Sequence, residues 1–203
     1  MARRTQAERS DATRSMLIAA GVRLFGREGY AATSIDMVAA EAGVTKGAAY
    51  HHFGGKVALF RAVFVHQQEE LASALRRVAG GAGDSWSALR EGCLEFLRQC
   101  VDRQVRQIVL LDGPAVLGWD DVRAIEYQHT LLLLRRGMSA AAADGAIDGG
   151  DLDIRCQVVF GALCEAGMLL ARVTDPGAAL PSVAGEVGRI LDSLVLGQCA
   201  ATG

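Results

Sequence analysis

The sequence predicts an all-α protein with an N-terminal three-helix unit followed by a larger helical body. Half of its 203 residues are hydrophobic and only three are proline, so the chain can bury a sizeable core. Aromatic residues make up only 5%, whereas good helix formers such as alanine, leucine and arginine are abundant. Apolar residues recur at helical spacing, and no run alternates with the period of two that indicates strands.

The chain begins with a basic arm over residues 1–9, and the spacing predicts a first helix from about Ser10 to Arg27 that Gly29 ends. The arm can follow the phosphates of a nucleic acid or enter a minor groove, and a solvated tail or an expression remnant is an equal alternative. Its basic residues are Arg3, Arg4 and Arg9.

Two short helices joined by a tight turn are predicted between Thr33 and Lys56. Thr33 is the predicted N-cap of the first helix, and Gly43 can adopt the left-handed conformation that ends it. Thr45 opens the second helix, which runs through Phe53. This spacing is typical of a helix-turn-helix.

The second helix carries the chemistry of DNA recognition. Lys46 can donate to guanine edges and the Ala48 methyl can contact a thymine methyl, while Tyr50 and Lys56 have the reach for phosphates. The small residues leave room for a close approach to a major groove, and a helix N-terminus favours an anion. The predicted DNA-contacting residues are Thr33, Ser34, Thr45, Lys46, Gly47, Ala48, Tyr50, His51, His52 and Lys56.

The net charge of −2 conceals an asymmetry between the ends of the chain. Up to Arg61 there are nine basic and five acidic residues, a net charge of +4, which leaves −6 for the remainder. A basic first third suits a polyanion-binding unit on a body that phosphate repels.

The segment Gly29–Phe60, GYAATSIDMVAAEAGVTKGAAYHHFGGKVALF, resembles the DNA-binding domain of the tetracycline-repressor (TetR) family of bacterial transcription regulators. The resemblance rests on the Gly-Tyr entry, the Thr33 cap, the Ala-Gly-Val turn and the Tyr-x-His-Phe sequence followed by Lys56. Ala48 and Ala49 are smaller than is usual in the family, and Gly54-Gly55 loosens the link to the next helix. The resemblance implies a one-component regulator, more often a repressor, that binds a palindromic operator in double-stranded DNA as a homodimer.

Further helices follow in the body. A long helix is predicted from Lys56 to about Ala79, and the next is capped by Asp84 or Ser85. An apolar run ends at a predicted bend, Asp112-Gly113-Pro114, because proline removes a donor and disfavours helix before it. After Gly118 a single helix is predicted from Trp119 through Leu131–Leu134, and Ser139–Gly150 is predicted to be a helix that gives way to a loop.

The last two helices are predicted at about 152–173 and 180–198, separated by a turn at Thr174-Asp175-Pro176-Gly177. Resemblance to the family implies that they form a four-helix bundle with their copies in a partner, and an intramolecular core without a partner is the alternative. On this basis residues 1–55 are the predicted DNA-binding domain and residues 56–203 the predicted effector-binding and dimerisation domain.

The resemblance also implies a pocket for an unknown small-molecule effector between the long helix and the helices of about Asp84 to Met138. Because few charges fall on the predicted inward stripes, we expect this effector to be mainly apolar. Plain core packing is the alternative for each candidate, and Trp119 stands out because it follows a bend where a helical core can open. The candidates are large, soft or polar-tipped residues on predicted inward stripes: Phe64, Gln68, Cys93, Phe96, Trp119 and Tyr127.

Other functions find less support. The five cysteines (Cys93, Cys100, Cys156, Cys164, Cys199) lack a Cys-x-x-Cys motif and suit small buried hydrophobes better than a redox sensor. No nucleophile elbow, phosphate loop or histidine–carboxylate set appears, so we expect neither an enzyme nor a cofactor or metal site. An all-helical enzyme and an architectural DNA-binding protein remain the alternatives. Without a signal peptide or membrane span, the expected location is the cytoplasm.

Overall fold

The computed structural model describes residues 6–196, and within them the chain is all-α, as predicted. The only β-type pairing in this range is an isolated bridge between Ile147 and Val195. A π-helical segment spans Arg106–Asp112. The α-helices are α1 (Gln6–Ala32), α2 (Ile35–Glu41), α3 (Lys46–Phe53), α4 (Lys56–Ala79), α5 (Ser85–Gln99), α6 (Arg103–Val105), α7 (Gly113–Leu117), α8 (Trp119–Gln128), α9 (Thr130–Ala143), α10 (Leu152–Arg172) and α11 (Pro176–Asp192).

By packing, the described chain divides into two compact units. The first contains the chain up to Gln67 together with Arg103–Val122, and the second contains Gln68–Asp102 and the chain from Arg123 onward. Helix α4 contributes residues to both units. The predicted boundary at residue 55 separates proposed functions, and it stays a proposal.

An aromatic cluster forms the core of the first unit. The rings of Phe25 and Phe60 meet edge to face with centroids 5.1 Å apart, and the Tyr30 ring lies 5.1 Å from Phe60 and 5.9 Å from Phe25. Gly29, at φ 79°, interrupts the helical geometry of α1. The glycine thus separates the regular part of α1 from its last turn, and helical structure continues to Ala32 instead of ending at Arg27.

The Arg103–Val122 segment packs into the first unit behind α1. The backbone N–H of Tyr30 donates to Asp112 Oδ2 at 2.7 Å. Gly113 packs so tightly that an added Cβ would lie 2.5 Å from Phe64 Cε2. The prediction of a bend at Gly113-Pro114 was wrong, because Gly113 is helical and its N–H bonds to Ile108 O in a π turn. Pro114 then lies in the first turn of α7, where a missing N–H costs little.

Helices α5, α9, α10 and α11 pack together in the second unit. Asp84 caps α5, as predicted, by accepting from the Ser87 N–H at 2.8 Å. The Arg90 guanidinium on α5 donates to Asp192 Oδ1 on α11 at 2.8 Å. These contacts hold the start and the middle of α5, the helix that lines the cavity described below.

Two predicted helix boundaries in the body were wrong. The helix from Trp119 is not continuous, since His129, at φ −126° and ψ −95°, separates α8 from α9. The last helix begins at Pro176, capped by Asp175, and ends at Asp192, so it lies earlier than the predicted 180–198. Proline is favourable in a first turn, which explains why the predicted stop signal is instead a start signal.

In the described part of the chain, one helix, Leu152–Arg172, is long and apolar enough to cross a membrane by length and composition. Its buried residues pack against α5, α9 and α11 in the second unit. A core helix of a soluble protein has the same properties, so this helix is weak support for a membrane protein.

Candidate nucleic-acid interface and ligand cavity

Helices α2 and α3 form a helix-turn-helix whose ends are all defined by local contacts. Ser34 caps α2 by accepting from the Met37 N–H at 3.1 Å. Gly43, at φ 68°, makes the turn with no side chain to oppose the left-handed conformation. Thr45 caps α3 by accepting from the Ala48 N–H at 3.2 Å, and Gly54, at φ 70°, ends it. The turn and the second helix agree with the prediction.

Thr33 departs from its predicted role. Its side chain is buried, and its hydroxyl donates to the carbonyl oxygen of Gly29 at 2.9 Å. The cap of α2 is the neighbouring Ser34, which is exposed. Thr33 therefore anchors α2 to the end of α1 and presents no hydroxyl to a phosphate, which corrects its assignment as an N-cap and as a DNA-contacting residue.

Helix α3 turns one face to its own unit and a thin, polar face to solvent. Ala49 is fully buried, and Ala48 is half-buried. Of the predicted contact residues on this helix, Lys46, Gly47, Tyr50 and His51 are exposed together with the Thr45 cap, and His52 is half-buried. The Lys46 ammonium lies 5.6 Å from the Tyr50 ring centroid. The first two turns of α3 thus present the Lys46 ammonium and the Tyr50 hydroxyl next to the small residue Gly47.

Lys46 forms an ion pair with Asp36 in the isolated chain. Its Nζ donates to Asp36 Oδ2 on α2 at 2.7 Å, and both side chains are exposed. The hydrogen bond to Asp36, followed by the attraction of its charge, raises the pKa of Lys46 above its ordinary value. The lysine stays charged at neutral pH, and any DNA group that it binds must compete with this carboxylate.

Lys56, at the start of α4, lies over the Tyr30 ring with its Nζ 4.0 Å from the centroid. Sequence reasoning assigned Lys56 to phosphate and missed its contact with Tyr30. It also missed the Asp36–Lys46 pair. Partners 26 and 10 residues apart leave no signal in helical periodicity, so only the packing of the helices reveals them.

Only residues 6–9 of the predicted basic arm lie within the described part of the chain. Arg9 lies in α1, which begins at Gln6, so residues 6–9 are helical and not an extended arm. Arg3 and Arg4 lie outside the described residues. A phosphate or minor-groove role for them stays a prediction.

The second unit contains an apolar cavity of about 170 Å³. Its wall comes from the end of α4 and from α5, α9 and α10. Nearly all of the wall is carbon; the polar side chains are Thr130 and Arg76, with the thiol of Cys93. The lining residues are Leu75, Arg76, Ala79, Ala88, Leu89, Gly92, Cys93, Phe96, Thr130, Leu133, Leu134, Gly137, Phe160 and Leu163.

Only two of the six candidate effector residues, Cys93 and Phe96, line this cavity. Gln68 is buried and accepts a hydrogen bond from Thr130, so it supports the wall from behind. Tyr127 lines a separate surface pocket with Arg135 and Cys156.

Phe64 and Trp119 belong to the first unit and do not line the cavity. Phe64 is fully buried in that unit, and 60% of Trp119 is exposed. The assignment of Trp119 to an inward stripe was therefore wrong, because the break at Gly118 rotates the start of α8 toward solvent. Thr130, Leu133 and Gly137 were missed as lining residues because α8 and α9 were predicted as one helix.

The four cysteines that the structure describes are buried or half-buried free thiols. Burial raises the pKa of the Cys93 and Cys164 thiols to about 12. Oxidation and alkylation require the thiolate, so these surroundings disfavour the redox-sensor alternative. Cys199 lies outside the described residues.

One buried acid, Glu126, has no role in either site. Burial raises its pKa to about 7, and the Arg123 guanidinium, 3.4 Å away, only partly offsets this effect. The Arg123 guanidinium also lies 4.9 Å from the Phe160 ring centroid. Within residues 6–196, no group of three histidine, cysteine or acidic side chains could hold a metal ion.

Two family models match the chain. One, described as bacterial regulatory proteins of the tetR family, matches residues 17–63, which contain the helix-turn-helix. The other, described as the tetracyclin repressor-like C-terminal domain, matches residues 86–194, which contain most of the cavity wall. The two sites thus fall in the two parts of one family architecture.

Relatives support the same assignment. The regulator TtgR of Pseudomonas putida is 30% identical over 161 residues, 75% of this chain and 76% of TtgR. The probable acrEF/envCD operon repressor of Escherichia coli is 35% identical over 113 residues, 55% of this chain and 50% of that protein. A solved TetR-family regulator from Pectobacterium atrosepticum is 31% identical with a TM-score of 0.82, covering 95% of this chain and 98% of that one.

These relatives are named as transcription regulators and not as enzymes, which confirms the prediction that the chain is not an enzyme. The exposed first turn of α3, the capped turn before it and the two matching models all lead to one assignment. The chain belongs to the TetR family of DNA-binding transcriptional regulators.

Proposed function

We propose that the protein is a repressor that binds a palindromic operator as a homodimer and leaves it when a mainly apolar small molecule occupies the cavity of the second unit. The observation that carries this proposal is the exposed face of the first two turns of α3, which Thr45 caps and which bears Lys46 and Tyr50 beside the small Gly47 and Ala48. A regulator of this kind acts on chromosomal DNA and therefore works in the cytoplasm.

The contacts with DNA follow from what α3 exposes. Lys46 and the half-buried Ala48 are the base-reading candidates, since an ammonium suits guanine and a methyl suits thymine. Tyr50, His51 and Lys56 suit phosphates, together with the exposed Ser34 and Thr45 caps. The buried Thr33 is no longer proposed. Small recognition residues at positions 47 and 48 let the helix approach the groove closely.

The homodimer rests on the exposed face of α10. Ile154 and Val158 are 63% and 66% exposed, and Leu169 is 51% exposed, on a helix whose opposite face is buried. Exposed apolar residues in one stripe indicate an interaction surface. The stripe comprises Ile154, Val158, Ala162, Leu169 and Val173, and Ile190 on α11 is also exposed.

A twofold dimer through α10 and α11 is self-complementary, because each stripe meets its own copy. Two recognition helices then read half-sites about 34 Å apart along the DNA, or a multiple of that distance. The palindrome follows from this symmetry. The carbon-lined cavity lies in the same unit as the proposed dimer face, and a ligand there shifts DNA affinity only if it binds the two states of the dimer differently.

Repression, rather than activation, is supported by the relative named as an operon repressor. A transcriptional reporter controlled by the DNA upstream of the chain's own gene tests whether the protein represses or activates. We expect the protein to lower expression, and we expect Lys46→Ala combined with Tyr50→Ala to restore it. Increased expression with the wild-type chain would show an activator.

The dimer is tested separately by sedimentation velocity. Val158→Asp places a charge at the centre of the proposed stripe, and we expect it to convert the dimer to a monomer because an unpaired buried charge is costly. Met16→Asp, at an exposed apolar residue of α1, is the matched control and should remain dimeric. A Val158→Asp variant that is still a dimer would exclude this face.

A further inference from the structure

Building on the proposed function, we propose that the effector class is a small, neutral, single-ring molecule with a hydroxyl or N–H group that it donates to Thr130 Oγ1. The effector role depends on the proposed function. The binding of such a molecule in the cavity does not, and it is testable without DNA.

The size of the cavity sets the size of the ligand. An apolar cavity of about 150 Å³ lined by leucine, isoleucine and phenylalanine is large enough to bind benzene. The cavity here measures about 170 Å³ and has a similar wall, with the Phe96 and Phe160 rings among leucine side chains. One aromatic ring with a small substituent fits this space, and because the cavity is open to solvent on one side, the rest of a larger ligand would extend out of it.

The hydrogen bonding of Thr130 sets the polarity of the ligand. Thr130 Oγ1 donates its proton to Gln68 Oε1 at 3.0 Å, and both side chains are buried. Thr130 lines the cavity, and since its one hydroxyl proton goes to Gln68, only the lone pairs of Oγ1 remain for a ligand. A ligand that donates a hydrogen bond to Thr130 Oγ1 completes this arrangement, whereas an ether or a carboxylate places its own oxygen lone pair against that of Thr130.

Charge is disfavoured at the same place. The Cys93 thiol is neutral, because burial raises its pKa to about 12, and no acidic side chain lines the cavity. An ionised ligand would lose its hydration without gaining an opposite charge deep in the cavity. Arg76, a lining residue whose side chain is exposed, is the cation of the cavity wall and provides the rival contact for a carboxylate.

Calorimetric titration of the full chain with four single-ring probes tests the proposal. Phenol can donate a hydrogen bond, anisole can only accept one, toluene can do neither, and benzoate is charged. We expect phenol to bind about five- to tenfold more tightly than anisole and toluene, the range of one neutral hydrogen bond, and benzoate to bind most weakly. Equal affinities for phenol, anisole and toluene, tighter binding of benzoate, or no binding of phenol would overturn the proposal.

Three substitutions locate the contact. Thr130→Val removes the acceptor and should reduce the phenol-to-toluene affinity ratio to about one, while Thr130→Ser should keep it. Gly92→Leu should abolish the binding of all probes, since an added Cβ at Gly92 meets no atom within 4 Å and a leucine there extends into the cavity. An unchanged ratio in a folded Thr130→Val variant would refute the contact.

DNA-binding measurements with the same probes separate the two proposals. Phenol that binds with the expected selectivity but leaves DNA affinity unchanged would uphold the cavity inference and contradict the effector part of the proposed function. Release of DNA by a large or charged compound, with no binding of phenol, would uphold the switch and overturn the inference.

Discussion

The ion pair between Asp36 and Lys46 predicts a specific change in DNA binding. Substituting Asp36→Asn keeps the shape of the side chain but removes the charge that holds Lys46 Nζ at 2.7 Å. Lys46 then becomes available to a phosphate or a guanine without competition, and the negative potential beside α3 decreases. We expect the variant to bind DNA more tightly than the wild-type chain at low salt.

The salt dependence gives the magnitude. Each phosphate neutralised by a protein steepens the slope of log affinity against log salt by about 0.9. One extra contact in each protomer of a dimer therefore steepens the slope by about 1.8. Between roughly 50 and 200 mM salt, this corresponds to about a tenfold greater loss of affinity for the variant than for the wild-type chain.

Fluorescence anisotropy with labelled DNA at four or five salt concentrations measures both slopes. Glu41→Gln is the matched control, because it also removes one exposed carboxylate of α2, but the cation it releases is Arg23 on α1. Both variants change the net charge equally. If Asp36→Asn and Glu41→Gln gave the same slope, the effect would be one of overall charge, and the assignment of Lys46 to the DNA would be refuted.

Three further predictions concern stability and the start of α3. Gly21→Ala places a Cβ 2.6 Å from Val63 Cγ2, so it should lower the free energy of unfolding by about 1–3 kcal/mol in chemical denaturation. Adding Val63→Ala should recover part of this loss, and no recovery would mean that the contact is not the cause. Thr45→Ala removes the α3 cap and should lower the free energy of unfolding by about 0.5–2 kcal/mol, whereas Thr45→Ser should stay near the wild type. Equal losses for the two variants would show that the hydroxyl is not needed. The folded chain keeps the proton of Glu126 up to about pH 7, whereas the unfolded chain loses it near pH 4.5, so wild-type stability should fall as pH rises through this window. Glu126→Gln should remove that loss, worth up to about 3 kcal/mol at pH 8, and a melting-temperature difference that did not grow from pH 5 to pH 8 would contradict the raised pKa.

The features that the sequence predicts well are those set by neighbouring residues. Thr45, Gly43 and Asp84 each act on a backbone group within four residues, so their roles follow from local chemistry. The same is true of α4, whose predicted bounds, Lys56 and about Ala79, agree with the structure. Local signals locate the helix-turn-helix accurately for this reason.

The features that it predicts poorly depend on residues far along the chain. Thr33 and Ser34 are equally good caps in isolation, and the choice between them is made by the burial of Thr33 against the end of α1. Gly113-Pro114 has the composition of a break, yet a π turn and the close packing of Phe64 against Gly113 keep it helical.

The apolar cavity of the second unit shows the same limit. Periodicity identified the lining residues Cys93 and Phe96 correctly because α5 is regular. It could not place Trp119 or Thr130, because Gly118 signals a break but not the direction of the helix that follows, and the change at His129 has no local sequence signal.

The most direct test of the central claim is quantitative binding of the purified chain to the DNA upstream of its own gene, with a shuffled duplex of the same length as the control, in rising salt. The account predicts two protomers on each operator, clear preference over the shuffled duplex, and a loss of affinity of about 10³-fold or more between roughly 50 and 200 mM salt, as expected for six or more phosphate contacts. Equal, weak binding to both duplexes, or selective binding by a single protomer without salt dependence, would contradict it.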